Sequence, residues 1–312
     1  MRTFIWVALF AAACSGGDKG GTDDSGSTSG DGGAEGGDGG GADGTTGGGG
    51  NQADFINTTK APIGDFTGFE AGYTTAWLTQ TVTQTGTVSL AAAVLDFQED
   101  TPVADATVEF YTGDEVAAVP DVSGVSDAGG NLNLSLPFCT PLTYKTATDP
   151  ALGDTKNTFE AHQVYGASPT GTDELNSVST TTYQLIPSLL GVSVDPAKGT
   201  VAGTAYDVGD RPIEGAQVVV KSMADDSIPD DVVVKYFVNS FPNREQPETS
   251  ADGLWVAINI PAGDWKVEMY VADGAGGHLF MGQTVLKVFG DSINISNIYT
   301  GYDSVKYPAS CL

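Results

Sequence analysis

Residues Gly199 to Val220 read GTVAGTAYDVGDRPIEGAQVVV, and this stretch decides the fold class. Val201, Gly203 and Ala205 alternate with Ala202, Thr204 and Tyr206, which is the two-residue period of a β-strand. Asp207 to Pro212 then supplies a turn. Gly209 tolerates positive φ, Asp207 and Asp210 can bond their own backbone, and Pro212 sets φ at the exit. Gln217 to Lys221 resumes as a β-branched run, entered through a tight Gly-Ala step, so the stretch predicts strand, turn and strand.

A more divergent copy begins at Gly86-Thr87-Val88 and continues with TPVADATV (Thr101 to Val108), which matches RPIEGAQV (Arg211 to Val218). Farther on, SDAGGNLNLSLP (Ser126 to Pro137) matches ADGLWVAINIP (Ala251 to Pro261) when the prolines are superposed. Leu132, Leu134 and Leu136 then fall on Val256, Ile258 and Ile260. Alternating apolar pairs in register predict an equivalent strand with one buried face in each copy. Two copies predict two similar domains.

This ordered set of motifs resembles the carboxypeptidase regulatory-like domain, a transthyretin-type β-sandwich common in exported bacterial proteins. The resemblance spans roughly Gly199 to Val271, and a looser version spans Gly86 to Pro137. The first copy departs from it in having Asp105 at the Gly of the Gly-Ala step and Asn131 at the Trp. The resemblance implies an appended, non-catalytic module; nothing in the chain matches the zinc peptidase to which such modules are attached.

The N-terminus addresses the chain. Arg2 precedes an apolar run that ends in small residues directly before Cys14, the pattern of a secretory signal peptide over residues 1–13. Ala-Ala-Ala-Cys resembles a bacterial lipobox, so Cys14 is the expected lipidation site. Three acyl chains at ~0.8 kcal/mol per buried CH₂ make such an anchor effectively permanent. Ser15 rather than Asp follows the cysteine, which points to the outer membrane, facing the periplasm or the cell surface. From Ser15 to Gly50, 18 of 36 residues are Gly and seven are Asp or Glu, so residues 14–52 read as a disordered acidic linker. Its Asp residues keep no nonapeptide period, unlike calcium-binding repeats.

Aromatic residues, absent from the linker, return after Ala53, and residues 53–170 form the expected first sandwich. An edge strand is expected over Trp77 to Thr85, and a long loop between Thr140 and Lys156. Residues 171–198 read as a helical connector. Leu175, Val178, Leu185, Ile186 and Leu189 recur at helical spacing from Asp173 to Leu190, with Thr172 or Asp173 as cap and Gly191 just past the end. Residues 199–312 form the second sandwich, with strands expected near 200–206, 216–221, 232–238, 255–260, 265–271, 284–289 and 292–298. The tail from Tyr299 to Leu312 is expected to lie back along a neighbour. The fold class is thus mainly β, two antiparallel transthyretin-like sandwiches joined by a short helix.

Forty acidic residues against 13 basic ones give a net charge of −27, which disfavours nucleic acid and anionic headgroups as partners. Beyond Cys14, Cys139 and Cys311 remain as an even pair for an oxidising compartment: either a disulfide clamping the tail onto the first module or two buried thiols. His162 and His278 are far apart and belong to no metal-binding spacing, and no G-x-S-x-G elbow is present. No cofactor is expected. Asp225-Asp226 and Asp230-Asp231 bracket a loop that could hold calcium or simply be solvated.

Trp255 and Tyr270 would both face outward if their neighbours fill the core. They could form a platform on which a sugar ring stacks, or be covered by the tail or the partner module. The sequence therefore reads as a non-enzymatic lipoprotein of the cell envelope, binding or presenting structure toward an envelope protein or a polysaccharide. The alternative is an envelope hydrolase of glycosidase type, using carboxylates between the modules.

Overall fold

The computed structural model describes residues 56–72, 77–151, 154–167 and 169–312. The expected signal peptide, Cys14 and the glycine-rich linker lie outside the described residues. The first half of the described chain builds β1 (Gly86–Asp96), β2 (Thr107–Thr112), β3 (Val122–Val125), β4 (Asn131–Phe138), β5 (Leu142–Ala147), β6 (Thr155–Gln163) and β7 (Asp173–Ser179). The helix α1 (Thr180–Leu190) follows. The second half builds β8 (Gly199–Tyr206), β9 (Ala216–Ser222), β10 (Val233–Val238), β11 (Phe241–Asn243), β12 (Leu254–Ile260), β13 (Gly263–Ala272), β14 (His278–Val288), β15 (Ser292–Ile295) and β16 (Ile298–Tyr299). The protein is mainly β.

The internal repeat is legible hydrogen bond by hydrogen bond. Val94 N–H donates to Gly130 O and Val103 N–H to Val94 O; in the second copy Ala205 N–H donates to Gly253 O and Ile213 N–H to Ala205 O. A buried hydroxyl then locks each turn to the strand that follows it. Ser126 Oγ accepts from Ala106 N–H and donates to Val103 O at 2.7 Å, while Thr249 Oγ1 accepts from Ala216 N–H and donates to Ile213 O at 2.7 Å. Gly215 occupies the left-handed region at φ 88, and Asp105 takes the same conformation at φ 55. The Gly-Ala step survives the loss of its glycine because Asp is among the residues that tolerate this region best.

Each copy has its own apolar centre. Leu90, Val94, Val108, Phe110, Leu134 and Leu136 lie in the first. Val201, Val218, Trp255, Ile260, Met269 and Met281 lie in the second, between the three-stranded sheet β14–β13–β9 and the sheet containing β12 and β8. That second sheet runs in the order β11–β10–β12–β8–β15–β6–β5–β2–β3, so it passes from one copy into the other. The short β15 makes the join, pairing parallel with β8 on one side and with β6 on the other.

Four expectations are corrected. Trp255 is fully buried in the second core and not outward-facing. The register of β12 shifts between Ile258 and Ile260, where Asn259 takes φ 68. This bulge inserts one residue, so superposing the prolines displaces the first part of the strand by one position and turns every side chain there to the wrong face. Leu132 pairs with Ala92, and Trp255 pairs with Gly203. The true equivalents of Leu132 and Leu134 are therefore Trp255 and Ala257. Leu254, Val256 and Ile258 face the other way, packed with Leu190, Phe237 and Ile186 in a third apolar cluster.

The expected helix over 173–190 begins only at Thr180. Residues 173–179 are β7, which pairs parallel with β1 from Ala92 to Asp96 and buries Leu175. Ser179 is the cap: it is extended, and its Oγ accepts from Thr182 N–H. Leu185 and Leu189, assigned from periodicity to the apolar face, are exposed, while Tyr183 and Leu190 are buried. Residues 142–147 form the strand β5, not a loop; β2 and β6 flank it, and most of its side chains are buried, which erases the alternation. Residues 77–85 form no strand, because their partner is the irregular tail: Leu78 N–H donates to Gly301 O and Thr83 N–H to Cys311 O.

Candidate functional site

Three places hold the side chains with chemistry: the tail, the outer face of the three-stranded sheet, and the buried carboxylates. The tail crosses both copies. It leaves β16, which pairs with β8, and bonds β14 through Ser304 N–H to Gln283 O. Tyr307 N–H then donates to Gln80 Oε1, and Gln80 Nε2 donates back to Tyr307 O. Farther along, Cys311 is joined to Cys139 with the two Cα atoms 5.4 Å apart. Cys139 itself sits at φ 55, and its N–H donates to Tyr165 O.

Alternation along β13 sends Lys266, Glu268 and Tyr270 to the outer face of its sheet and Val267, Met269 and Val271 into the core. The Glu268 carboxylate accepts from Lys221 Nζ at 2.5 Å, Lys266 Nζ at 3.1 Å and Tyr270 Oη at 2.6 Å. Lys266 also reaches Asp226 at 2.6 Å. Tyr270 is half-buried, with its ring 5.5 Å from that of Phe280, which in turn meets Trp77 edge-on at 5.8 Å. Of the two aromatics proposed from sequence as a platform, only Tyr270 is on this face, and its hydroxyl is tied to Glu268. The two never share a surface.

Burial alone would push the Glu268 pKa up. Hydrogen bonds from Lys221, Tyr270 and Lys266 outweigh it and hold the carboxyl below its ordinary 4.5. A carboxylate depressed in the fold contributes stability above its unfolded pKa and loses it as pH falls through the folded value. Unfolding free energy should therefore decline as pH drops below about 4.5. Glu268→Gln should cost about 1–3 kcal/mol at neutral pH, leaving Lys221 without its carboxylate and Lys266 with Asp226 alone, and should flatten that acid limb. Denaturant midpoints from pH 7 to pH 3 check this; parallel curves for wild type and variant would show that Glu268 is not the group responsible.

Other polar groups also serve the protein's own backbone or its own ions. Asp207 is fully buried. It accepts from the N–H groups of Gly209, Arg211 and Asp65, and from the Arg211 guanidinium at 3.0 Å. Asp96 does the same for Gln98, Glu99 and Ser179 in the first copy. Glu160 accepts from Tyr144, Asn176 and Gln163. His162 Nε2 meets Val285 O, and His278 Nε2 meets Thr58 O. Burial pushes the His162 pKa down, against the pull of that carbonyl. In the acidic loop Asp226 is held by Lys266 and Asp231 by Lys198. Among the described residues, no three His, Cys, Asp or Glu side chains gather where they could hold a metal ion. No helix among them is long and apolar enough to cross a membrane.

No protein-family model matches the chain, and no curated protein matches it. Distant structural likenesses exist to β-rich proteins. The Bacillus anthracis TIE protein is 13% identical over 71% of this chain, with a TM-score of 0.22. The shaft pilin SpaA of Lactobacillus rhamnosus GG is 10% identical over 69% of this chain and 98% of its own, with a TM-score of 0.23. A streptococcal ancillary pilin is 11% identical over 69% of this chain and 62% of its own, with a TM-score of 0.21. The chain spans about a third, 34%, of the TIE protein's length. At these TM-scores the likenesses carry no reading of function.

Proposed function

We propose that this is a non-enzymatic lipoprotein of the cell envelope: residues 1–13 direct export, Cys14 carries lipid, and two transthyretin-like modules are held out for binding or structural contact. The Cys139–Cys311 bond is the observation that carries this reading, since such a bond persists in oxidising compartments and not in a reducing cytosol. The use made of the buried carboxylates and both histidines agrees with it. Asp96, Asp207, Glu160 and Glu268 spend their hydrogen-bonding capacity on turns and on neighbouring strands, whereas a glycosidase needs two carboxyl groups facing a shared cleft.

The test is intact mass of the protein extracted from membranes, together with fractionation of Cys14→Ser. The expected mass is that of the chain from Cys14 plus acyl groups, with two alkyl additions appearing only after reduction. Cys14→Ser should move the protein from the membrane pellet to the soluble fraction. An unlipidated mass, or a variant that stays with the membrane, would overturn the anchor; alkylation without reduction would overturn the exported, disulfide-bonded state.

A further inference from the structure

The long sheet ends on β3, which pairs with β2 alone. Ser126 N–H donates to Ala106 O, and the register carries that pattern to Gly124 and Val122, whose backbone groups face β2. The N–H and C=O groups of Ser123 and Val125 therefore point away from the sheet. Both residues are exposed, Val125 at 58%, and Val119, in the loop that leads into the strand, is exposed at 76%. The neighbouring and opposite edges are defended. The tail lies along β14, with Gly301 N–H donating to Met281 O and Ser304 N–H to Gln283 O. At the far end of the long sheet β11 holds Pro242, which has no N–H to offer. β4 is stopped by Pro137 at one end and by the bond from Asp127 N–H to Asn131 O at the other. β3 has no such guard.

We propose that the free edge of β3 takes up an extended, cationic segment of another protein as an added strand. The proposal rests on the reading of the protein as a binding module and names the partner's chemistry. Main-chain hydrogen bonds to Ser123 and Val125 supply the affinity, and the Val125 side chain gives one apolar neighbour to the added strand. The sign of the partner's charge comes from the rim. Asp121 directly precedes the strand, Asp127 follows it, and Asp105 N–H donates to Ser126 O at its end. All three are exposed, and among the described residues none of them is in an ion pair. Lys145, the one lysine on β2 and β5, is held by Glu109 at 3.0 Å. A second copy of this chain, itself at −27, is repelled by that rim, as is any anionic segment.

The experiment titrates the full mature chain, ¹⁵N-labelled, with an acetylated heptapeptide of alternating lysine and valine. The amide signals of Ser123 and Val125 should shift saturably and their hydrogen exchange should slow, while Asn133 and Ser135 on β4 stay in place; the matching glutamate–valine peptide should move nothing. Ser123→Pro should weaken binding by at least about tenfold, because the added strand loses a main-chain donor. It should keep the wild-type thermal midpoint, since the N–H it removes faces solvent. Should Ser123→Pro unfold, the wild-type chain still decides. Of two lysine–valine peptides, one N-methylated at every lysine and the other at every valine, one should bind and the other fail, because a strand presents only alternate N–H groups to each neighbour. The proposal is overturned if the lysine–valine peptide leaves Ser123 and Val125 unmoved, if it shifts β4 instead, if a folded Ser123→Pro binds as wild type, or if the two methylated peptides behave alike. None of these outcomes bears on the mass of Cys14, so failure here and failure of the lipid anchor are told apart.

Discussion

Trp255→Ala is expected to destabilise the protein by about 3–5 kcal/mol, the cost of emptying the largest side chain from a closed core. Trp255 is fully buried and lies across Gly203, where even a Cβ would come within 2.9 Å of the indole and 1.9 Å of Ser296 O. The close approach of β8, β12 and the chain after β15 is therefore built around this one ring and the missing side chain beneath it. The cavity left by alanine could not be filled from Gly203. For a fold of this size the loss corresponds to a fall in Tm of roughly 2–4 °C per kcal/mol. Trp255→Phe should cost much less, because the indole N–H has no partner among the described residues and its removal relieves a buried unpaired donor. Guanidinium unfolding of the full chain measures both. A loss under about 1 kcal/mol for Trp255→Ala would mean that the ring faces outward, as superposing the prolines implies, and that the bulge at Asn259 is wrong.

The second large effect is expected from Cys139→Ser combined with Cys311→Ser, at about 2–5 kcal/mol. The bond spans a sequence separation of 172 residues and closes a loop holding β5 to β16, with β1 to β4 outside it. On the chain-entropy account a closure this long removes much freedom from the unfolded chain. Its effect in the folded state is local. Without it the tail keeps the Gln80–Tyr307 pair, the bond from Thr83 N–H to Cys311 O, and the ion pair of Lys306 with Asp210 at 2.6 Å. Hydrogen exchange should therefore show early opening of residues 305–312 and of the 77–85 segment they hold, with β8 and β12 protected as before. If the variant keeps wild-type stability and protection, those polar contacts hold the tail unaided and the disulfide contributes nothing measurable.

The expected strands of the second copy all find counterparts, because each is a short apolar or β-branched run bounded by its own Gly, Asp or Pro turn, and such signals are local. The same locality explains the failures. Residues 173–179 satisfy a helical period as well as a strand one; a parallel pairing with β1, some eighty residues upstream, decides for the strand. Residues 142–147 lost their alternation when neighbours covered both faces.

From its sequence alone the chain shows a repeated strand-turn-strand pattern, the turn residues that recur in it, its strong negative charge and an apolar run before Cys14, since each is read from residues close together in the chain. Which face of β12 carries Trp255, which strand closes the sheet between the copies, and how Glu268 finds two lysines and a tyrosine were decided only in three dimensions. A one-residue bulge, a parallel pairing through β15 and an ion pair across strands each depend on chain segments brought together by folding. The periodicity of a single strand is blind to all three, because a two-residue period records that a strand has faces and not what covers each of them.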